Sequence, residues 1–422
     1  MTGRGGTVSG RTALVLGAGM VGVSCALALQ KRGYAVTLVD RREPGRETSY
    51  GNAGVISRSS IMPLNNPGLW ANLPRYLGNR HAAVRYRLGH LAARPGWIIS
   101  FLNEARPVRL AARVAALESL IAPALPLHKR LMTEAGIAWR LRDTGFLELW
   151  RSEKGRAAAS ARQAFLADHG VRTDALDRQG LSALEPSLNP IFSTALLHQD
   201  SASVDWPGAV VAAYAALFAA RGGTVLCDEV SSVARVGERW RAAGRAAQHE
   251  ADILVVALGP WSADLLRPLG LKVPLGAERG YHRHYKPVSG RFLDRPIYDV
   301  EASYMLAPME LGLRLTSGVE LAHRDAPDDH AQIEQVLPRA REAFPLGEPI
   351  DDTTWRGSRP TLPDSLPMIG PAPRHPGLWL AFGNQHIGFS TGPVTGEILA
   401  ALVNGEAPPA DPHPFRPERY VS

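Results

Sequence analysis

The chain has 422 residues, 45% hydrophobic and 21% charged, enough for two domains and a large core in an enzyme of ordinary composition. No run reaches the roughly 18–20 uninterrupted apolar residues of a spanning helix. Residues 1–11 are polar and glycine-rich without an apolar secretory stretch, so the expected location is the cytoplasm or its membrane face. The net charge of +7 comes with no recognised nucleic-acid motif, which argues against such a partner.

The apolar run Ala13–Leu16 leads into Gly17-Ala18-Gly19-Met20-Val21-Gly22, a helical stretch, and then Val36-Thr-Leu-Val-Asp40. This reads as strand, glycine turn, helix and strand, with an acid about 20 residues after the middle glycine. Gly17 permits the tight turn, Gly19 lets a pyrophosphate reach the backbone, and Gly22 lets helix and strand pack closely. The helix N-terminus offers unpaired N–H groups to the phosphates. Asp40, with Arg41 and Arg42 beside it, is placed to meet the ribose. An NAD-binding fold would continue with strand–helix repeats of about 30 residues, but this chain runs into Glu47-Thr48-Ser49-Tyr-Gly51-Asn52-Ala53-Gly54. The pyrophosphate and ribityl chain of an extended FAD would pass such a loop of hydroxyls, amide and glycine backbone. A capped Gly/Asn turn is the plainer alternative.

Residues 75–113 hold eight arginines (75, 80, 85, 87, 94, 106, 109 and 113) against one acid, Glu104, interleaved with Tyr76, Tyr86, Trp97 and Phe101. That pattern suits either a surface facing anionic lipid or an acidic partner, or a solvated helical face over a normal core. Helices are expected from about 85 to 135 and over 153–169, with a strand at 145–150. Residues 207–221 read as a helix, Val225–Val236 and 240–248 as strands, and Ala251–Gly259 as a buried parallel strand. Val230, Ala257, Gly259 and Trp261 are further candidate cofactor contacts.

Residues 272–322 alternate in strand style and carry Arg279-Gly280-Tyr281 and Tyr304, and 328–344 read as a helix. Trp355–Gly370 is turn-rich. An arginine set before a proline there, Arg359, suits bidentate recognition of a carboxylate, although lone arginines are more often solvated. Leu378–Phe382 then leads into Gly383-Asn-Gln385-His386-Ile387-Gly388-Phe-Ser-Thr-Gly392 and a helix over Val394–Val403. A helix N-terminus aimed at a flavin pyrimidine would stabilise its negative charge on reduction. His386 stands beside the ring or is merely structural. Cys25 and Cys227 make neither metal nor redox spacing, and neither lies in the C-terminal segment. No metal is expected, and FAD would be held non-covalently. The expected organisation is discontinuous, with 1–65, 200–275 and 350–422 in a nucleotide domain and 66–199 and 276–349 in a substrate domain.

Taken together, Gly17-x-Gly19-x-x-Gly22…Asp40, Glu47-Thr-Ser-x-x-Asn52-Ala-Gly54, Arg279-Gly-Tyr281, Gly357-Ser-Arg359-Pro-Thr-x-Pro-Asp364 and Gly383-x-x-His386-x-Gly388 resemble the D-amino-acid oxidase superfamily. The loop at 47–54 and the helical insert are most similar to bacterial D-amino-acid dehydrogenases, and the likeness runs from residue 12 to about 405. It implies an α/β architecture: a glutathione-reductase-type Rossmann FAD domain beside an α+β substrate domain with an antiparallel sheet. It also implies that Arg359 binds the substrate carboxylate and that a tyrosine of the sheet, Tyr281 or Tyr304, closes the pocket. The implied reaction is oxidative deamination of a D-amino acid: hydride leaves Cα for flavin N5, and the imine hydrolyses to a 2-keto acid and ammonia. The electron acceptor is open among a quinone, a partner protein and oxygen. Departures blur the substrate. The dehydrogenases carry Lys-Gly-Tyr where this chain has Arg279-Gly280-Tyr281, and many relatives have a Gly-His pair where it reads Gly383-Asn-Gln-His386. Cyclic secondary D-amino acids of the hydroxyproline type are therefore as open as D-alanine. A glycine- or sarcosine-type amine oxidase, an FAD subunit of an amine or opine dehydrogenase complex, and a flavin module without an amine site are the competing readings.

Overall fold

The computed structural model describes residues 10–421. Three distant stretches of chain meet in one six-stranded sheet, in the order Thr224–Cys227, Ala35–Asp40, Thr12–Leu16, Ile253–Val256, Leu378–Phe382 and Met368–Pro371. All pairings are parallel except the last. Leu14, Val15, Leu254, Val255 and Val256 are buried, as expected of strands covered on both faces. The first helix, Met20–Lys31, packs along the last, Gly388–Asn404. Glycine makes that approach possible, since a β-carbon on Gly392 would lie 2.5 Å from Met20 Cγ and one on Gly396 2.5 Å from the Ser24 carbonyl. The last helix begins six residues before the expected Val394. Gly388, Gly392 and Pro393 are poor helix formers by propensity, and here tight packing on the first helix overrides that preference.

A second sheet has eleven strands and is mostly antiparallel. Its central strand, Gly276–Pro287, pairs with Gly312–Thr316, Val319–Leu321, Leu346–Pro349 and Trp355–Thr361. Beyond Gly312–Thr316 follow Tyr304–Met309, Ile297–Asp299, Phe146–Trp150 and Thr194–His198. The helix Ala331–Ala343 covers one face, packing Ile333, Val336 and Ala340 on Tyr281, Tyr304, Leu313 and Leu315. The opposite face looks into the cavity described below. Trp355–Thr361 is thus a strand and not the expected turn. The turn-like Gly and Pro of that segment are accommodated by pairing with Gly276–Pro287, with one further bridge from Thr361 to Asn384.

In the helical insert, Gly68–Leu77, Leu88–Ala93 and Pro95–Glu104 bury no residue fully. Six of the eight arginines there have a side-chain partner within the protein, among them Arg94, which donates to the Leu275 carbonyl at 2.8 Å, and Arg75, which donates to Asn72 Oδ1 at 3.4 Å. Arg87 pairs with Glu320 at 3.0 Å, Arg85 with Asp329 at 3.8 Å and Arg109 with Glu104, while Arg113 is buried against Asn65. The basic character of 75–113 is therefore only partly an outward-facing charge. Among the described residues, Pro107–Glu134 alone is long and apolar enough to cross a membrane by length and composition. Its apolar side, with Val114, Leu117, Leu120 and Ile121, lies in the main core.

Candidate active site

One cavity of about 920 Å³ runs from the carboxyl ends of the parallel strands to the second sheet. Binding outside strand ends is the rule for open α/β sheets. At its start the three glycines have three separate jobs. Gly17 has φ +106°, and a β-carbon there would lie 2.4 Å from the Ala257 carbonyl. A β-carbon on Gly22 would lie 1.8 Å from the Gly17 carbonyl, whereas one on Gly19 would meet only Ser49 Oγ at 3.4 Å. Gly19 is therefore the open side, where a ligand can reach the helix N-terminus.

Asp40 receives the Ala18 N–H on Oδ2 at 2.6 Å and the Arg42 N–H on Oδ1 at 3.1 Å. Burial raises its carboxyl above the usual range, opposed by those two bonds. The 47–54 loop folds back on the first helix, with Ser49 Oγ accepting the Met20 N–H at 3.0 Å. Thr48 Oγ1 donates to the Ser358 carbonyl at 3.0 Å, and Gly54 N donates to Asn52 Oδ1 at 2.8 Å. Arg314, unforeseen in the sequence, anchors this loop: its Nη1 donates to the carbonyls of Tyr50 and Asn52 at 2.9 and 2.5 Å. Val230, Ala257, Gly259 and Trp261 line the same end, with the guanidiniums of Arg41 and Arg324 4.2 and 5.3 Å from the centre of the Trp261 ring.

At the other end, Arg359 comes from Trp355–Thr361, directly opposite Glu278 in the register. Its guanidinium is enclosed, and burial lowers its pKa against the pull of Glu278. Among the described residues nothing hydrogen-bonds or ion-pairs with it. Burial pushes the Glu278 carboxyl up to about 7 despite Arg359. His386 is accessible from the cavity, and desolvation between the cavity walls together with Arg359 lowers its pKa to about 4. Gly383, Gln385, Ile387 and Gly388 complete this wall with the start of the last helix. The neighbouring Trp355 ring stacks on His282 at 4.7 Å and lies where a β-carbon of Gly51 or Gly357 would be.

Both candidate tyrosines touch the cavity wall but turn their hydroxyls away from it. The Tyr281 hydroxyl donates to Glu320 at 2.6 Å and accepts from Arg279 at 2.7 Å and Asp329 N at 3.1 Å, which fills its bonding capacity. Tyr304 reaches the Arg339 carbonyl on the covering helix at 3.4 Å. Side chains alternate between sheet faces, so the cavity side of Tyr304–Met309 belongs to Met305. On the cavity face of this sheet stands Tyr298, paired with Met305, its hydroxyl pushed up to about 12 by burial and Glu148. Period-two alternation within Pro296-Ile-Tyr-Asp was the sequence signal for it. Four other expected cofactor residues stand behind the wall rather than on it. Ala18 bonds to Asp40, Gly22 packs on Gly17, and Gly54 adopts φ +77° against Val204. Arg42 turns to solvent beside Glu47.

A cavity joining a glycine-turn helix terminus, an acid at a neighbouring strand end and a second helix terminus fits an extended FAD. The profile of the family "FAD dependent oxidoreductase" (DAO) matches residues 12–402. The chain belongs to this family of FAD-dependent oxidoreductases. Within the family it is 30% identical over 430 residues to a D-amino-acid oxidase of Bradyrhizobium diazoefficiens, covering 98% of this chain and 99% of that one. It is 30% identical over 437 residues to a D-amino acid dehydrogenase of Cereibacter sphaeroides, covering 97% and 95%. The fold is shared with glycine oxidase from Geobacillus kaustophilus (TM-score 0.75, 20% identity, 98% and 99% covered). It is also shared with L-proline dehydrogenase from P. horikoshii (TM-score 0.74, 18% identity, 97% of each covered). The protein is thus an FAD-dependent oxidoreductase of the amino-acid oxidase and dehydrogenase type.

Proposed function

We propose that this flavoenzyme oxidises D-amino acids at Cα to imines, which hydrolyse to 2-keto acids and ammonia or remain cyclic for proline-type substrates. The observation that carries this reading is the Arg359 guanidinium, enclosed, unpaired and open to the cavity. A guanidinium without a hydrogen-bonding partner at the cavity wall favours an incoming anion, and its planar fork matches a carboxylate. The relatives named D-amino-acid oxidase and dehydrogenase support the D enantiomer.

FAD, when bound, supplies the acceptor for the substrate's Cα hydride. Gly17, Gly19, Asp40, Thr48, Ser49 and Asn52 would hold its phosphate and ribose end, and Gly383–Gly388 its ring. Arg359 fixes the substrate carboxylate and so aims the Cα–H bond. Gly280 and Gly357 keep that space clear, and Tyr298 bounds it. Glu278, titrating near neutrality, can take the ammonium proton at its carboxylate oxygen, which leaves the nitrogen lone pair free to stabilise the iminium. His386, neutral at physiological pH, adds no competing positive charge beside Arg359.

The test is anaerobic flavin bleaching of the purified yellow protein by D- and L-amino acids and glycine, followed by turnover with a quinone analogue against air. Arg359→Met should retain FAD and lose roughly 10²–10³-fold in kcat/KM, the scale of breaking a buried charge pair. Bleaching by L-amino acids or N-methylglycine alone, or an unimpaired Arg359→Met, overturns the reading.

A further inference from the structure

The register of the second sheet sets one residue from each of six strands in a row on the cavity face: Trp355, His282, Thr316, Met305, Tyr298 and Glu148. Arg359 lies four residues beyond Trp355 on the strand at one end of this row, opposite Glu278, with its guanidinium against Gly280 of the central strand. Glu148 lies four strand intervals from the central strand, roughly 19 Å at about 4.8 Å per interval and less where the sheet curls. The Glu148 end is polar, with Tyr298, Arg162 and Tyr76 lining the same cavity. Glu148 has a nearly buried side chain, 12% exposed, with Arg162 Nε and His198 Nε2 each at 3.4 Å. Both are longer than the roughly 2.7–2.9 Å of a charge-assisted bond. A carboxylate offers about four acceptor positions, so its capacity is not filled.

Neither side chain is free to close in. Arg162 is tied by Nη2 to the Ser59 carbonyl at 3.0 Å, and His198 is clamped on the Phe146 ring at 4.2 Å. A carboxylate with acceptor positions left over at this end of the cavity can take a donor from the ligand. An apolar side chain would leave Glu148 and the Tyr298 hydroxyl desolvated without partners. An anionic one would meet Glu148 directly. A short one, held by its carboxylate on Arg359, would not reach.

We infer that Glu148 is a specificity-determining residue, selecting amino acids whose long side chains end in a cation or strong hydrogen-bond donor, of the lysine or arginine class. This rests on the amino-acid reading above and deepens it, with Arg359 anchoring the head and Glu148 reading the tail. Arg162 opposes the selection, because its own charge competes for the same carboxylate.

The experiment uses the FAD-loaded protein and two ligands that cannot be dehydrogenated at an amine-bearing Cα, 6-aminohexanoate and hexanoate. Binding is read from the perturbed flavin absorbance, and kcat/KM is compared for lysine and norleucine in whichever enantiomer bleaches the flavin. The expected result is 6-aminohexanoate tighter than hexanoate, and lysine better than norleucine, by about tenfold or more. Both ratios should fall to within about threefold in Glu148→Gln and rise in Arg162→Gln. Opposite movement in the two variants is what a merely structural role would not produce. Equal binding of the two ligands in the parent protein, or ratios unmoved by Glu148→Gln, overturns the inference. Bleaching by L-lysine alone overturns the proposed D specificity while leaving these ratios to decide the role of Glu148.

Discussion

The guanidinium of Arg359 lies flat against the α-carbon of Gly280, so close that a β-carbon on Gly280 would come within 2.4 Å of Nη2 and 2.7 Å of Cζ. Gly280 lies in an ordinary strand and does not need a left-handed backbone, so the close approach alone demands glycine there. The Arg-Gly-Tyr segment thus matters for its middle residue, which seats an arginine almost 80 positions later in the chain.

Gly280→Ala should therefore displace the guanidinium without straining the strand. The expected result is a rise of about tenfold or more in KM, or in the dissociation constant of a simple carboxylate, with FAD content unchanged. Steady-state kinetics and the ratio of visible to ultraviolet absorbance measure the two. An unchanged carboxylate affinity would remove Arg359 from the substrate site.

Arg314 joins the second sheet to the 47–54 loop. Its Nε donates to His284 Nε2 at 3.0 Å, so His284 carries its proton on Nδ1, which donates to Asp351 at 2.8 Å. Burial lowers both groups, Arg314 to about 10 and His284 below its ordinary value, in keeping with a neutral histidine. Arg314→Met leaves the Tyr50 and Asn52 carbonyls unpaired, at about 1–3 kcal/mol each. FAD affinity should fall by roughly 10- to 100-fold, read by fluorescence titration of the apoprotein. Undiminished affinity would show that the loop holds its shape without the arginine.

Glu278 makes stability pH-dependent. Its folded pKa, about 7, stands above its ordinary 4.5 because burial disfavours the charged form. Between those values the folded protein keeps a proton that the unfolded chain has released, so stability falls as pH rises through that window and levels off above it. The full effect is roughly 3 kcal/mol. Glu278→Gln stays neutral throughout, so its melting temperature relative to the parent should climb by a few degrees between pH 5 and pH 8. Thermal denaturation across that range measures it, and a difference that shrinks with rising pH would refute this account.

Much of the glycine-lined part of the cavity was legible in the chain itself. Gly17, Gly19, Gly22 and Asp40, the 47–54 loop and the Gly383–Gly388 segment are local motifs, each defined by neighbours within one turn or one strand. Arg359 was legible through its Gly-x-Arg-Pro context, although its segment proved to be a strand. The tyrosines were not. Tyr281, Tyr298 and Tyr304 all lie in alternating strands, and shifting a strand by one residue exchanges its two faces. Which tyrosine stands on the cavity face of the sheet was decided by where the helix Ala331–Ala343 settles on it.

By itself, then, the order of residues determined the glycine turn, the strand-end acid, the loop that follows and the apolar runs of the parallel sheet, because short-range sterics and periodicity suffice for these. Only the tertiary structure decided that Gly280 seats Arg359, that Arg314 holds the 47–54 loop, and that Glu148 and Tyr298 end the cavity. Those relationships join residues dozens to hundreds of positions apart. Cross-strand register and the choice of buried face create them, and neither is encoded in any one segment.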